Sequence, residues 1–216
     1  MKQQIFISGI GTGIGKTICS AVLVRLWDAD YWKPIQSGDL HHSDSMLVRE
    51  LTGRNTVIHP ERFKLKLAAS PHESAVAENL QITLKDFKLP VTPRSLVVEG
   101  AGGLFVPVNE EAFIIDLISK LSIPAALVIR DYLGCINHSL LSIAALRQHD
   151  IPLRYLILNG SFNPHSERII RKAVDSSTAI LRIPDLQSLN SQELDSVCRD
   201  LVEQIKYNRY TVPPKY

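Results

Sequence analysis

The chain has 216 residues, of which 45% are apolar or aromatic and 21% are charged, so it suits one globular domain and is not expected to be intrinsically disordered. Lys and Arg number 24 against 22 Asp and Glu, and this small excess predicts no general attraction to nucleic acid or to an anionic membrane. No apolar run approaches the roughly 18 residues that span a bilayer, and the first residues lack a signal-peptide pattern, so we expect a soluble, cytoplasmic protein.

Strand-like apolar runs alternate with helix-like segments along the chain. The predicted strands cover residues 4–9, 29–33, 95–99, 125–130, 153–159 and 179–183. The predicted helices cover residues 17–27, 44–51, 74–79, 84–88, 112–121, 136–149, 164–174 and 191–207. Continuous Val, Ile and Leu runs that alternate with helices indicate an α/β fold with a doubly wound, mostly parallel sheet flanked by helices. We expect one domain over residues 1–216, with a flexible tail at 207–216 and a ligand site beyond the carboxyl ends of the strands.

A glycine-rich loop, GIGTGIGKT at residues 9–17, follows the first predicted strand and opens a helix. Glycines let successive backbone N–H groups point at one anion, and the helix N-terminus adds partial positive charge. Lys16 and Thr17 suit the phosphates and the Mg²⁺ of a nucleoside triphosphate. The loop is one residue longer than the usual phosphate-binding pattern, because Ile10 occupies the position of the first glycine. Its alternate glycines also fit a loose dinucleotide pattern, but Lys-Thr at the helix start favours a triphosphate.

Two carboxylates are candidates for holding the Mg²⁺ that a phosphate-binding loop needs. Glu99 ends a predicted strand and runs into the glycine-rich turn 100–103. Asp44 follows the second predicted strand, where it also fits as an acidic residue in the first turn of a helix capped by Ser43. We interpret the neighbouring His41 and His42 as loop residues, because no third ligand has suitable spacing.

A second lysine, Lys33, stands in the segment KPIQSG at residues 33–38, directly after the second predicted strand. Pro34 pins the chain as it leaves the sheet, and this placement directs Lys33 to the same edge as Lys16. Two ammonium groups at one site suit a reaction that builds negative charge on a transferring phosphoryl group. The alternative is a surface lysine whose stem packs on the sheet.

The ordered set GIGTGIGKT, KPIQSG, HSD, SPH, VEGAGG and LGCINH resembles the dethiobiotin synthetase family over about residues 4–185. The segments VEGAGG and LGCINH are far more specific than the phosphate-binding loop. The resemblance implies a P-loop NTPase fold and a homodimer with substrate at its interface. It also implies ATP- and Mg²⁺-dependent closure of a cyclic urea from 7,8-diaminopelargonate and CO₂, through a phosphorylated carbamate.

The resemblance also implies roles for individual residues. Contacts to the carbamate and the transferring phosphoryl group would come from Lys16, Lys33 and Thr12. The nucleotide would be bound by Gly11, Gly13, Ile14, Gly15, Lys16, Thr17, Ile18, Asn159 and Pro184. The metal would be held by Thr17, Asp44 and Glu99, and the substrate by Ser37, Gly134, Cys135 and Asn137. The Asn159 amide suits adenine because it presents both a donor and an acceptor. Gly13 departs from the family, whose members commonly carry an acidic residue there.

Two other functions are consistent with a phosphate-binding loop of this kind. The first is a nucleotide-switched partitioning or scaffold ATPase, but many of those carry an extra lysine where this chain has Gly11 and Thr12. A basic face or an amphipathic membrane tail is also expected of them, and neither stands out here. The second is a cobyrinate-amidating ligase, which usually carries a glutamine-hydrolysing domain for which we expect no room in 216 residues.

Overall fold

The computed structural model describes the backbone of residues 2–211 and the side chains as far as residue 206. Seven parallel strands form one sheet in the order β4-β2-β6-β1-β7-β8-β9, and two further parallel strands, β3 and β5, form a small second sheet. The first strand therefore lies at the centre of the large sheet, between β6 and β7. Among the described residues no helix is long and apolar enough to span a membrane.

The helices and strands are numbered in chain order. The strands are β1 (Gln4–Gly9), β2 (Asp30–Trp32), β3 (Ile35–Ser37), β4 (Ile58–His59), β5 (Phe63–Leu65), β6 (Leu96–Gly103), β7 (Ala125–Ile129), β8 (Leu153–Asn159) and β9 (Ala179–Ile183). The helices are α1 (Lys16–Trp27), α2 (Asp44–Thr52), α3 (Pro71–Ala77), α4 (Ile114–Leu121), α5 (Cys135–Gln148), α6 (Pro164–Arg171) and α7 (Ser191–Thr211), with a 3₁₀ turn at Leu84–Asp86.

The strands alternate their buried side chains between two apolar cores, one on each face of the sheet. In β1, Ile5 and Ile7 join the core that α1, α2 and α7 cover, whereas Phe6 joins the core that α3, α4, α5 and α6 cover. The central strands β1 and β7 are buried on both faces, which explains why the sequence shows continuous apolar runs there instead of an alternating pattern. The predicted doubly wound α/β fold is confirmed.

Most predicted elements are present, and the differences concern short segments. The strands β3, β4 and β5 were not predicted, because two or three residues are too few to show a periodic pattern. The strand predicted to end at Glu99 continues to Gly103, and α3 begins at Pro71 instead of residue 74. The helix expected to end at residue 207 continues to Thr211. Side chains from residue 207 and all of 212–216 lie outside the described residues, so the flexible tail expected at 207–216 stays a prediction.

The parallel arrangement brings the loops that follow β1, β6, β7, β8 and β9 to one edge of the sheet. The small sheet lies beside this edge, because β3 begins at Ile35, only three residues after β2 ends at Trp32. Gly38, at the end of β3, has a φ of 71°, and a Cβ there would lie 2.5 Å from the Cβ and 2.6 Å from the Cα of Ala68. Glycine is therefore required at this position both by the backbone angle and by the close approach of the next segment.

We predict that Gly38→Ala destabilises the fold more than Gly13→Ala does, because the alanine at position 13 would cause backbone strain without a close contact. Gly13 is the matched control, because its φ is 73° and an added Cβ would meet nothing within 4 Å. Left-handed strain costs about 1–2 kcal/mol at either position, and overpacking against Ala68 adds about 1–3 kcal/mol at Gly38. Urea unfolding of both variants measures the difference, and equal losses of unfolding free energy would contradict the predicted close contact.

Candidate active site

A cleft of about 780 Å³ opens at the carboxyl edge of the sheet, between the glycine-rich loop and the segment that follows β5. Ten residues singled out by the sequence line it, namely Thr12, Gly13, Gly15, Lys16, Thr17, Ile18, Lys33, Ser37, Asp44 and Glu99. They come from four separate parts of the chain. The expected grouping of the two lysines and two carboxylates at one edge is therefore present.

The glycine-rich loop turns sharply into α1. Gly15 caps the helix in a left-handed conformation, with a φ of 87°, and Lys16 is the first helical residue. The Lys16 ammonium donates to the carbonyl of Gly11 at 2.9 Å, so this side chain folds back over its own loop. Burial is the largest influence on the Lys16 pKa and lowers it, although the charge of Glu99 opposes the shift. An anion at the helix N-terminus would favour the charged form of this lysine.

Three oxygen-bearing side chains meet at the beginning of α1. The Thr17 hydroxyl lies 2.6 Å from Oδ1 of Asp44 and 3.0 Å from Oε1 of Glu99. Hydroxyl and carboxylate oxygens are the protein ligands that Mg²⁺ prefers, so the donor set fits this ion. Within the described residues no cluster of three or more His, Cys, Asp or Glu side chains forms a metal site, so a metal here would also need ligands such as nucleotide phosphates.

Lys33 sits between the two carboxylates. Its ammonium lies 2.6 Å from Oδ2 of Asp44, 3.3 Å from Oε1 of Glu99 and 3.4 Å from the carbonyl of Gly100. Burial by itself lowers the pKa of Lys33, but the charges of Glu99 and Asp44 outweigh burial and the pKa lies above its ordinary value. The lysine therefore stays charged at neutral pH and is not suited to act as a general base.

Asp44 is placed by its helix and by a side chain from the small sheet. Ser43 caps α2 by accepting from the backbone N–H of Met46 at 3.3 Å, as the sequence predicted. The amide oxygen of Gln36 accepts the backbone N–H of Asp44 at 3.3 Å. Burial raises the pKa of Asp44, but Lys33 and the Thr17 hydrogen bond outweigh burial and lower it overall. The carboxylate is thus ionised over the physiological range.

Asn159 lies at the end of β8, directly beside the glycine-rich loop. Its amide nitrogen donates to the carbonyl of Ile14 at 2.7 Å. A Cβ at Gly15 would lie 2.1 Å from that nitrogen, so Gly15 leaves the space that this amide fills. Asn159 therefore supports the loop, and its role toward adenine stays a prediction. The expected base-flanking residue Pro184 follows β9, which pairs with β8 next to Asn159.

The substrate residues expected in LGCINH form a separate group at the start of α5. Gly134 caps this helix with a φ of 106°, and the Cys135 thiol donates to Oδ1 of Asp131 at 3.1 Å. Neither these two residues nor Asn137 lines the cleft described above. Of the predicted substrate residues only Ser37 does, and its buried hydroxyl has no hydrogen-bond partner among the described residues.

Several residues that shape the site were not predicted. The cleft is also lined by Ile35, Gln36, Ala68, Ala69, Ser70, Pro71, Gly102, Val106 and Leu189. The motifs KPIQSG, SPH and VEGAGG contain five of these residues, so those five could have been found from the sequence: Ile35, Gln36, Ser70, Pro71 and Gly102. Leu189 comes from the segment after Pro184, which carries no motif. Tyr31, whose hydroxyl donates to Oε2 of Glu99 at 2.9 Å, carries no motif signal either.

Comparison with known proteins assigns the chain to a family. A family model described as an AAA domain matches residues 3–193. The ATP-dependent dethiobiotin synthetase BioD of Paramagnetospirillum magneticum is 42% identical over 187 residues, which cover 87% of this chain and 89% of the relative. The enzyme of the same name from Christiangramia forsetii is 44% identical over 173 residues, or 80% of this chain and 83% of the relative.

The fold itself is more widely shared. The solved structure of a ParA family ATPase from Chlorobium tepidum matches with a TM-score of 0.55 and 12% identity, covering 96% of this chain and 93% of that one. At such low identity the match shows a common fold and does not favour the partitioning ATPase considered above. The two relatives described above, each more than 40% identical, carry the stronger conclusion: the chain belongs to the ATP-dependent dethiobiotin synthetase family.

Proposed function

We propose that this chain closes the cyclic urea of dethiobiotin, with the residue roles described below. The observation that carries the proposal is the meeting of two ammonium groups, one hydroxyl and two carboxylates beside the glycine-rich loop. Lys16, Thr17, Lys33, Asp44 and Glu99 line one cleft, and their contacts range from 2.6 to 3.3 Å where the side chains touch. The reaction is inferred from family membership, and this geometry supports the roles that we assign to the five residues.

The reaction has three steps. One amine of 7,8-diaminopelargonate adds to CO₂, and a carbamate forms with release of a proton. A carbamate oxygen attacks the γ-phosphorus of ATP, and the bond to ADP breaks. The second amine then attacks the carbamate carbon, which closes the ring and releases phosphate and a proton. Negative charge gathers on the transferring phosphoryl group in the second step, so cationic groups must be placed there in advance.

The two lysines have complementary roles in our proposal. Lys16 leaves its contact with the Gly11 carbonyl to bind the phosphates when ATP enters the loop. Lys33 remains charged, because Glu99 and Asp44 raise its pKa, and it contacts the carbamate and the transferring phosphoryl group together with Thr12. Because Lys33 keeps its proton, it does not deprotonate the attacking amine. Desolvation of that amine lowers its pKa and favours the neutral form, which is the form that attacks.

Thr17, Asp44 and Glu99 would hold Mg²⁺, whose role when bound is to neutralise charge on the β- and γ-phosphates. The structure supports this set because the Thr17 hydroxyl contacts both carboxylates. Gly13 contributes backbone only, so the acidic group that many family members place there is not available in this loop. The carboxylates of Asp44 and Glu99 therefore carry the anionic part of the proposed metal site.

The nucleotide base would lie beyond the loop, past the carboxyl ends of β8 and β9. Asn159 is nearly fully buried next to the Ile14 carbonyl, and Pro184 follows the neighbouring strand. Gly11, Gly15 and Ile18 would complete the nucleotide site together with the residues already assigned to the phosphates. We place the reaction in the cytoplasm, where ATP is available.

The substrate site supports a homodimer. Ser37 lies in the cleft, whereas Gly134, Cys135 and Asn137 lie at the start of α5 and outside it. A second copy of the chain would bring its own α5 terminus to this cleft, where the helix N-terminus suits the substrate carboxylate. The loop before α5 also exposes apolar surface, with Leu133 fully exposed. Exposed apolar residues next to a functional segment are typical of an interface.

Conversion of 7,8-diaminopelargonate to dethiobiotin, measured with ATP, Mg²⁺ and bicarbonate present and with each omitted in turn, tests the function. We expect product only when all are present, with one phosphate released for each ring closed. A folded protein that binds ATP and gives no product under these conditions would contradict the assignment.

We predict that Glu99→Gln lowers turnover by about 100-fold or more, because a neutral amide is a poor Mg²⁺ ligand. Far-ultraviolet circular dichroism should show the same fold. Glu167→Gln is the matched control, since Glu167, like Glu99, is a buried carboxylate with cationic partners. Its partners are Arg171 and Arg182, and it lies away from the cleft. Near-normal turnover in Glu99→Gln would rule out Glu99 as an essential ligand.

We predict that Leu133→Asp weakens dimerisation by at least about tenfold, because it places a charge in the centre of an apolar interface. Val91→Asp is the control: Val91 is equally exposed but lies before β6, at the opposite end of that strand from Glu99. Sedimentation velocity over a range of concentrations measures the association. The dimer assignment fails if the unaltered chain is monomeric, or if both variants associate as the unaltered chain does.

A further inference from the structure

The two oxygens of the Glu99 carboxylate have different surroundings. Oε1 faces the cleft, 3.0 Å from the Thr17 hydroxyl and 3.3 Å from the Lys33 ammonium. Oε2 points into the protein and accepts the Tyr31 hydroxyl at 2.9 Å. Glu99 is 1% exposed and Tyr31 is 0% exposed, so water does not compete for this hydrogen bond. Only one oxygen of the carboxylate is thus presented to the site.

The fold fixes the distance between these two residues. Tyr31 lies on β2, where it pairs with Val97 of β6, and Glu99 stands two residues further along the same strand. Residues two apart in a strand point to the same face, so Glu99 shares the face of Val97. Tyr31 and Val97 both belong to the core beneath α1 and α2. The tyrosine ring is therefore held by packing on a central part of the sheet, and its hydroxyl reaches Glu99 along the face.

The Tyr31 hydroxyl is the donor in this hydrogen bond, and Oε2 of Glu99 is the acceptor. The surroundings of the Asp44 carboxylate are different. Its partners, Lys33 and Thr17, both belong to the site, and the Asp44 side chain is 32% exposed. The Glu99 carboxylate thus has a partner outside the site, whereas the Asp44 carboxylate is paired with two residues of the site itself.

We propose that Tyr31 is a positioning residue for the metal: its hydroxyl holds Oε2 of Glu99 so that Oε1 is directed toward Thr17 and the phosphates. This inference rests on the proposed role of Glu99 as a metal ligand. Without the hydroxyl, the carboxylate would lose its buried partner and rotate to share both oxygens with Lys33. Groups that orient a metal ligand typically change metal affinity by about 10–100-fold when they are removed.

The test compares ADP binding with and without Mg²⁺ by isothermal titration calorimetry, so it does not depend on turnover. Tyr31→Phe keeps the ring and removes the hydroxyl. We expect its ADP affinity in EDTA to stay within about twofold of the unaltered chain, and the Mg²⁺ concentration for half-maximal tightening of ADP to rise by about tenfold. Tyr155→Phe is the matched control, because Tyr155 is a buried tyrosine on β8 whose hydroxyl accepts from Arg154 instead of contacting the site.

Three results would overturn the proposal. One is an unchanged Mg²⁺ requirement in Tyr31→Phe. The second is an equal loss of ADP affinity with and without Mg²⁺, which indicates a structural role only. The third result comes from a second variant, in which p-aminophenylalanine replaces Tyr31. This side chain keeps an N–H donor at the same place, so the variant tests the proposal even if Tyr31→Phe does not fold. We expect this variant to keep an Mg²⁺ requirement within about twofold of the unaltered chain, and a tenfold loss there contradicts the role of the donor.

The outcome is separable from that of the proposed function. A chain that shows Mg²⁺-dependent ADP binding with the expected Tyr31→Phe shift, but forms no dethiobiotin, would support the positioning role and overturn the assigned reaction. The reverse combination, normal ring closure with no shift in Tyr31→Phe, would leave the reaction standing and remove Tyr31 from the metal site.

Discussion

The buried charge of Glu99 is the constraint on which the rest of the site depends. A carboxylate that is 1% exposed is strongly destabilising unless its oxygens are paired. Three donors from three different elements meet it: Tyr31 from β2, Lys33 from the segment after β2, and Thr17 from α1. Each of these donors can reach Glu99 only if β2, β6 and β1 lie side by side in the order observed. The position of the proposed reactive groups around Glu99 therefore depends on the order of the strands in the sheet.

This arrangement also explains how a chain with almost balanced charge binds a highly anionic substrate. Lys and Arg exceed Asp and Glu by only 24 to 22, so the surface as a whole has little attraction for ATP. The cationic groups to which we assign the binding of ATP, Lys16 and Lys33, lie at the beginning of α1 and beside Glu99. Burial strengthens their interaction with charge that develops in the cleft, because fewer water molecules screen it.

The sequence predicted the large features of this molecule, and the reasons are physical. Runs such as those of β7 and β8 are long enough to indicate buried strands, and the Lys-Thr pair after a strand and a glycine-rich loop fixes the start of α1. Glu99, Lys33 and Asp44 were singled out because Glu99 ends a predicted strand, Lys33 and Asp44 come after one, and parallel strands end at one edge. What the sequence did not predict depends on contacts between distant segments. Tyr31 is an ordinary apolar strand residue until β2 is known to lie beside β6, and Leu189 belongs to a segment without a recognisable pattern.

In the proposed site, Thr17, Asp44 and Glu99 hold the metal, and Lys33 contacts the transferring phosphoryl group. A crystal structure of the chain with Mg²⁺, a non-hydrolysable ATP analogue and 7,8-diaminopelargonate tests this most directly. We expect one Mg²⁺ bound to the Thr17 hydroxyl and to Oε1 of Glu99, with Asp44 in its coordination sphere and the Lys33 ammonium facing the γ-phosphate and the diamine. A metal held away from Glu99, or a diamine bound outside the cleft that Lys33 and Ser37 line, would contradict it.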